Sequence, residues 1–308
     1  MICTDWRDAP PQEVAGLYAF ERERWMADLA WDPTELFATV EQGRIAGHVS
    51  GWIARDRDRV AGWTFYILHD HVLQIGALVG ERPSVVRRLL DAVLASPEAL
   101  VARSLSCFVY PSGRGTASAL ERQRFALRES LYLSRDLSPT TEPEPANALV
   151  RGWTSGDFAG AVRVLCSAYQ GVPGAECFAA DQSREQWARY TWQILRTPGC
   201  GRFDASLSRV VCAPGSQTPA AVALVTWIAP DAAHVAQIAV APELRRQGVG
   251  RMLMQSIVHA CASAGATKLT LMVDGANAPA IGLYERLGFE RRSGMLYGQR
   301  AARNRVAA

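Results

Sequence analysis

The run Arg245-Arg246-Gln247-Gly248-Val249-Gly250 constrains this chain more than any other feature. It follows an apolar run, His234 to Val240, and a short turn, Ala241-Pro242-Glu243-Leu244. It leads into a helical pattern that begins Arg251-Met-Leu-Met. Strand, glycine loop and helix start in that order aim backbone N–H groups and the positive end of a helix dipole at one point. Glycine lets an anion approach the backbone closely. The expected ligand is a small anion such as a pyrophosphate. A Gly-x-Gly pair also fits a plain strand-to-helix connection. The dinucleotide pattern fails because Leu253 stands at the third glycine position, and Gly250-Arg251-Met252 lacks the Lys-Ser/Thr of a P-loop.

Val240-x-Pro242-x-x-Arg245-x-x-Gly248-x-Gly250 resembles the acetyl-CoA signature of the GNAT N-acetyltransferases. A second segment resembles the strand, asparagine and helix that follow it in that family: Leu269 to Val273, then Asn277, then Ala280 to Phe289 with Tyr284 inside it. The resemblance covers roughly residues 149 to 300. It implies an α/β fold of two tandem GNAT-like domains, each a mixed, mostly antiparallel central sheet flanked by helices. It also implies acetyl-CoA as co-substrate, no metal, and transfer of acetyl to a primary amine of a small molecule or peptide.

The resemblance assigns roles residue by residue. The backbones of Ile238, Ala239 and Val240 would pair with the pantetheine arm. The N–H groups of Arg246, Gln247, Gly248, Val249, Gly250 and Arg251 would hold the pyrophosphate. Asn277 would hydrogen-bond the cofactor arm, or cap the helix that begins at Ala278, or both. Tyr284 would be the general acid for the departing thiolate; by its neighbours alone it also reads as a core tyrosine. The ribosomal-protein alanine acetyltransferases of this family carry a glutamate five residues before the asparagine. Here that position is Met272, which takes no proton, so that specific label is in doubt. Other members carry a glutamate six residues before the valine, where this chain has His234. The base is His234, Asp274 or a water relay. The acceptor site would lie on the first two helices, among Tyr169, Phe178, Trp187, Tyr190 and Trp192. The alternatives are other acyl-CoA chemistry (a longer acyl group, a thiol or hydroxyl acceptor, or decarboxylation) and non-catalytic acyl-CoA binding.

A length of 308 residues suits two domains, and 49% apolar residues suffice for two cores. A formal charge of +3 argues against a nucleic-acid surface. Seven scattered cysteines form no zinc pattern and read as reduced thiols. The first residues do not read as a signal peptide and no apolar run is long enough to span a membrane. The expectation is a cytoplasmic monomer or homodimer.

Ser138 to Pro145 holds three prolines in seven residues and reads as a linker. The expected domains are 1–137 without a cofactor site, a 138–146 linker, and a catalytic 147–308. The halves look duplicated: His71-Val-Leu-Gln-Ile resembles His234-Val-Ala-Gln-Ile at an offset of 163. Carried forward without a gap, this sets Val85 and Arg87 against Gly248 and Gly250, Gly113 near Asn277, and Leu120 near Tyr284.

Overall fold

The computed structural model describes residues 1–109, 115–141, 149–212 and 215–301. The chain runs β1 (Ile2–Asp5), α1 (Pro11–Leu29), α2 (Thr34–Ile45), β2 (Ser50–Asp56), β3 (Arg59–His69), β4 (Val72–Gly80), α3 (Pro83–Leu94), α4 (Pro97–Val101), β5 (Ser104–Val109), α5 (Thr116–Arg122) and β6 (Ala126–Asp136). It continues with β7 (Val150–Gly152), α6 (Phe158–Tyr169), α7 (Arg184–Arg196), β8 (Arg202–Phe203), β9 (Arg209–Cys212), β10 (Pro219–Ala229), β11 (Ala232–Val240), α8 (Val249–Ser263), β12 (Lys268–Asp274), α9 (Ala278–Arg286) and β13 (Glu290–Ala301). The linker expected at 138–146 has no helix or strand in its described part, and residues 142–148 lie outside the described residues. So does Gly113.

Two compact units form. The first gathers Met1–Glu23, Phe37–Leu131 and Gly294–Ala308, and the second Arg24–Leu36 and Tyr132–Ser293. Each is a mixed, mostly antiparallel sheet with helices. In the first unit the order is β1-β2-β3-β4-β5-β13, with Leu296–Ala301 antiparallel to β5. In the second it is β7-β9-β10-β11-β12-β6, where β6 contributes its C-terminal part. The expected halves, 1–137 and 147–308, give the order of elements. The compact units differ from them because each is completed by the other half's last strand.

The internal duplication is visible in strand register, with a correction. The β3–β4 hairpin turns between His69 and Val72, and the β10–β11 hairpin between Ala229 and Ala232. That is an offset of 160. The bulge agrees, because Gly76 is skipped in β4 and Ala236 in β11. The parallel pairs Val72↔Ser104 and Ala232↔Lys268 then give 164 for β5 and β12. The similarity of His71–Ile75 to His234–Ile238 therefore does not mark equivalent positions. Turn geometry and bulge fix hairpin register, and a short apolar match cannot override them.

Between β4 and β5 the chain is four residues shorter than between β11 and β12. Only Glu81 and Arg82 separate β4 from α3, whereas Ala241 to Gly248 separate β11 from α8. Pro83 opens α3 and supplies no N–H. Gly115 packs so closely on Pro83 that a Cβ there would stand 2.6 Å from the ring. Val85 is buried in the core with Leu89, Leu120 and Phe125. The first unit thus has the layered fold with no glycine loop at this helix start.

The second unit's core joins α6 and α7 to β10 through Trp153, Leu165, Trp187, Ile194, Val222 and Leu224. Thr154 caps the start of its first helical segment. The Thr154 hydroxyl and the Asp157 carboxylate form a capping box across a 3-10 turn that precedes α6. Asp157 also takes a bidentate pair from Arg151.

Candidate active site

The Arg245–Gly250 loop leads into α8. Gly248 is the N-cap of α8 at φ +80°, a left-handed conformation that favours glycine. Arg246 is also left-handed, at φ +65°. The first helical bond runs from Met252 N–H to Gly248 C=O, so the N–H groups of Val249, Gly250 and Arg251 have no partner inside the helix. A Cβ on Gly248 would meet nothing within 4 Å. One on Gly250 would stand 3.5 Å from Leu283 Cδ2 and 3.9 Å from Val240 Cγ2. The start of α8, the end of β11 and α9 therefore converge at Gly250.

Arg245 holds the loop in place. It donates to Ala168 C=O at 2.6 Å and to Val240 C=O at 3.3 Å, tying the loop to the end of α6 and of β11. Gln247 braces it from within by donating to Glu243 C=O at 2.9 Å. Arg246 and Arg251 are exposed beside it.

The sheet opens at the same place. Parallel pairing of β11 with β12 ends at Val235↔Leu271. Beyond the bulge at Ala236, Gln237 to Val240 pair with β10 on the other side. Ile238, Ala239 and Val240 lie along that opened edge.

A buried polar network crosses it. Gln237 is 5% exposed. Its Oε1 accepts the Tyr169 hydroxyl at 2.8 Å and the Ile238 N–H at 3.0 Å, and its Nε2 donates to Tyr190 at 3.4 Å. Sequence reasoning passed over Gln237. Its one signal was a lone amide inside an otherwise apolar strand.

Tyr284 sits on α9, buried and edge-on to Phe289 with centroids 6.0 Å apart. Burial pushes its phenol up to about 12. Tyr169 is raised well above the ordinary phenol range, first by burial and next by the neighbouring Tyr284. Asn277 caps α9, its Oδ1 accepting the Ala280 N–H at 3.2 Å, which leaves its amide nitrogen as a donor. Met272 lies part-buried on β12. Asp274 Oδ1 is engaged by the Ala276 N–H at 2.7 Å.

His234, the candidate base on β11, is buried. It is 4% exposed, near-parallel to the Tyr132 ring and tilted against Trp31, with Nδ1 2.8 Å from Thr270 Oγ1. Burial lowers its pKa to about 3. An imidazole so enclosed is a core group, with no route to an incoming amine. The aromatic candidates also divide. Tyr169, Phe178, Trp187 and Tyr190 pack as one cluster, whereas Trp192 is 54% exposed. No metal-holding group of His, Cys, Asp and Glu occurs among the described residues. No described helix is long and apolar enough to cross a membrane.

An opened strand edge thus leads to a glycine-capped helix start, with Tyr284 on the neighbouring helix. Residues 173–289 match the family model described as "Acetyltransferase (GNAT) family". A 65-residue stretch is 42% identical to the ribosomal protein bS18-alanine N-acetyltransferase of Salmonella typhimurium, covering 21% of this chain and 44% of that protein. A putative enzyme of the same description from Bacillus subtilis is 41% identical over 64 residues, 42% of its length. The chain thus spans less than half the length of these curated relatives. Among solved structures, a GCN5-related N-acetyltransferase from Sphaerobacter thermophilus matches 99% of this chain and 98% of its own at a TM-score of 0.69 and 14% identity. A tandem GNAT protein from the clavulanic acid biosynthesis pathway matches 82% of this chain and 83% of its own, with a TM-score of 0.56 and 18% identity. These two likenesses concern the fold.

Proposed function

We propose that the C-terminal half, residues 147–308, binds acetyl-CoA and transfers its acetyl group to a primary amine of a small molecule or peptide by direct attack in a ternary complex. The observation that carries this reading is the convergence at Gly250 of the α8 start, the opened β11 edge and the helix bearing Tyr284. The open space over Gly248 and the unbonded first-turn N–H groups suit a pyrophosphate. Backbone groups of Ile238, Ala239 and Val240 would take the pantetheine arm as an added strand. The N–H groups of Arg246 through Arg251 would take the pyrophosphate, and Asn277 Nδ2 the arm.

In the reaction the amine nitrogen attacks the thioester carbon and the C–S bond breaks. The thiolate takes its proton from Tyr284, whose raised pKa keeps it protonated at neutral pH. The amine's proton leaves through water, because His234 is enclosed and Met272 cannot accept it. The first unit, with Pro83 and Val85 where the second has its glycine loop, is assigned a structural or substrate-shaping role. A thiol-release screen of the full chain with acetyl-CoA against amines, amino acids and peptides tests this. Acceptor-dependent release of free CoA supports it, and binding without turnover across the set rejects transfer.

The enclosed His234 and the absent strand glutamate favour keeping one second reading: other acyl-CoA chemistry at the same site, such as a longer acyl chain or a thiol or hydroxyl acceptor. Mass analysis of the products separates the two.

A further inference from the structure

Gln237 is the one buried side chain on β11 whose hydrogen bonds reach toward the opened strand edge, and it is tied to the chemistry by geometry. One oxygen, Oε1, is shared by the Tyr169 hydroxyl and the Ile238 N–H. The Ile238 N–H follows directly on the bulge at Ala236, where pairing with β12 has already ended. It is thus a backbone donor beyond the last pair with β12, and it shares its acceptor with the Tyr169 hydroxyl. If the pantetheine arm lies along Ile238 to Val240, as proposed above, the thioester carbonyl comes to this donor. A single N–H cannot serve two acceptors at full strength.

We propose that the Gln237 carboxamide is a displaceable stand-in for the acyl carbonyl, holding the Ile238 N–H in place and yielding it when a thioester carbonyl arrives, so that Gln237 sets how strongly the site prefers acyl-CoA to a carbonyl-free CoA. The inference rests on the acyl-CoA reading. Gln237 acts as a positioning residue through Ile238. Its remaining bonds make the exchange feasible. With Ile238 released, Oε1 still accepts from Tyr169 and Nε2 still donates to Tyr190, so the buried amide is not left unpaired. The Tyr169 hydroxyl also lies 3.4 Å from the Ile238 C=O, in the next peptide group along β11.

The test compares acetyl-CoA with S-ethyl-CoA, a thioether of nearly the same shape without the carbonyl, by calorimetry on the full chain. Gln237→Leu removes the competing acceptor. It should leave S-ethyl-CoA affinity within about twofold and raise the preference for acetyl-CoA about three- to tenfold, the size expected of one competing hydrogen bond. A preference unchanged from the unsubstituted chain overturns the proposal. Should the variant not fold, NMR of the unsubstituted chain decides. Acetyl-CoA should shift the Gln237 side-chain amide signals and S-ethyl-CoA should not; equal shifts with both ligands overturn it. A chain that binds neither ligand rejects the acyl-CoA reading itself, and this inference with it. Binding of both with an unaltered preference rejects this inference alone.

Discussion

The Nδ1 nitrogen of His234 lies 2.8 Å from the Thr270 hydroxyl, and the Tyr132 hydroxyl reaches the same oxygen at 3.0 Å. These three side chains form a closed polar knot in the core of the second unit. Tyr132 further donates to Leu29 C=O at 2.9 Å, so the knot also fastens the Arg24–Leu36 segment. His234, one of three candidate bases, is bonded inside this knot.

That placement predicts an acid-sensitive fold. His234 has a folded pKa of about 3, below its ordinary value near 6.5. As pH falls through this window, the unfolded chain takes up the proton that the folded chain refuses. The contribution is complete above about pH 6.5 and is lost toward pH 3, with a slope approaching about 1.4 kcal/mol per pH unit. Denaturant unfolding at several pH values should show this slope, and His234→Gln should flatten it. An unchanged slope in the variant, or a pH–rate inflection that vanishes with it, would return His234 to the role of base.

Tyr284→Phe removes one hydroxyl from the site. Stability should change by less than about 1 kcal/mol, because no hydrogen bond of this hydroxyl holds the fold together. Turnover should fall about 100-fold or more, the usual worth of a positioned acid, with acetyl-CoA affinity retained. Equal losses in affinity and turnover would point to a binding role instead.

Gly250→Ala separates binding from folding. The residue is helical and its new methyl would meet Leu283 at an ordinary 3.5 Å, so stability should hold or rise by up to about 1 kcal/mol. The methyl would crowd the approach to the first-turn N–H groups, and acetyl-CoA affinity should drop about tenfold or more. At Gly248 the left-handed φ of +80° makes Gly248→Ala cost about 1 kcal/mol by itself. Thermal melts alongside titrations would show the two glycines dividing in this way.

The two arginines of the loop should behave differently. Arg245→Ala loses the bonds to Ala168 and Val240 and should lower stability by about 1–3 kcal/mol. Arg246→Ala touches only the exposed face. It should spare stability and weaken acetyl-CoA binding most at low salt, where an exposed charge is least screened. Identical salt dependence in Arg246→Ala and the unsubstituted chain would remove Arg246 from the phosphate site.

The second unit was legible because its signals are local. Glycines at the start of α8, Asn277 at the cap of α9 and the apolar run of β11 each declare themselves within a few residues. What escaped depended on distant pairing. The exchange of β6 and β13 follows from tertiary pairing that no local pattern encodes. The offset of 160 is fixed by a turn and a bulge, neither of which shows in an apolar heptapeptide. Gln237 looked incidental because its partners, Tyr169 and Tyr190, come from separate helices. His234 looked catalytic because a sequence shows its residue type and not its burial.

The central claim is a single acyl-CoA site, in the second unit, built on the Arg245–Gly250 loop. Calorimetric titration of the full chain with acetyl-CoA tests it most directly. One molecule should bind per chain, and Gly250→Trp should abolish binding in a protein that still melts cooperatively. Two molecules per chain, or binding that survives Gly250→Trp, would contradict it.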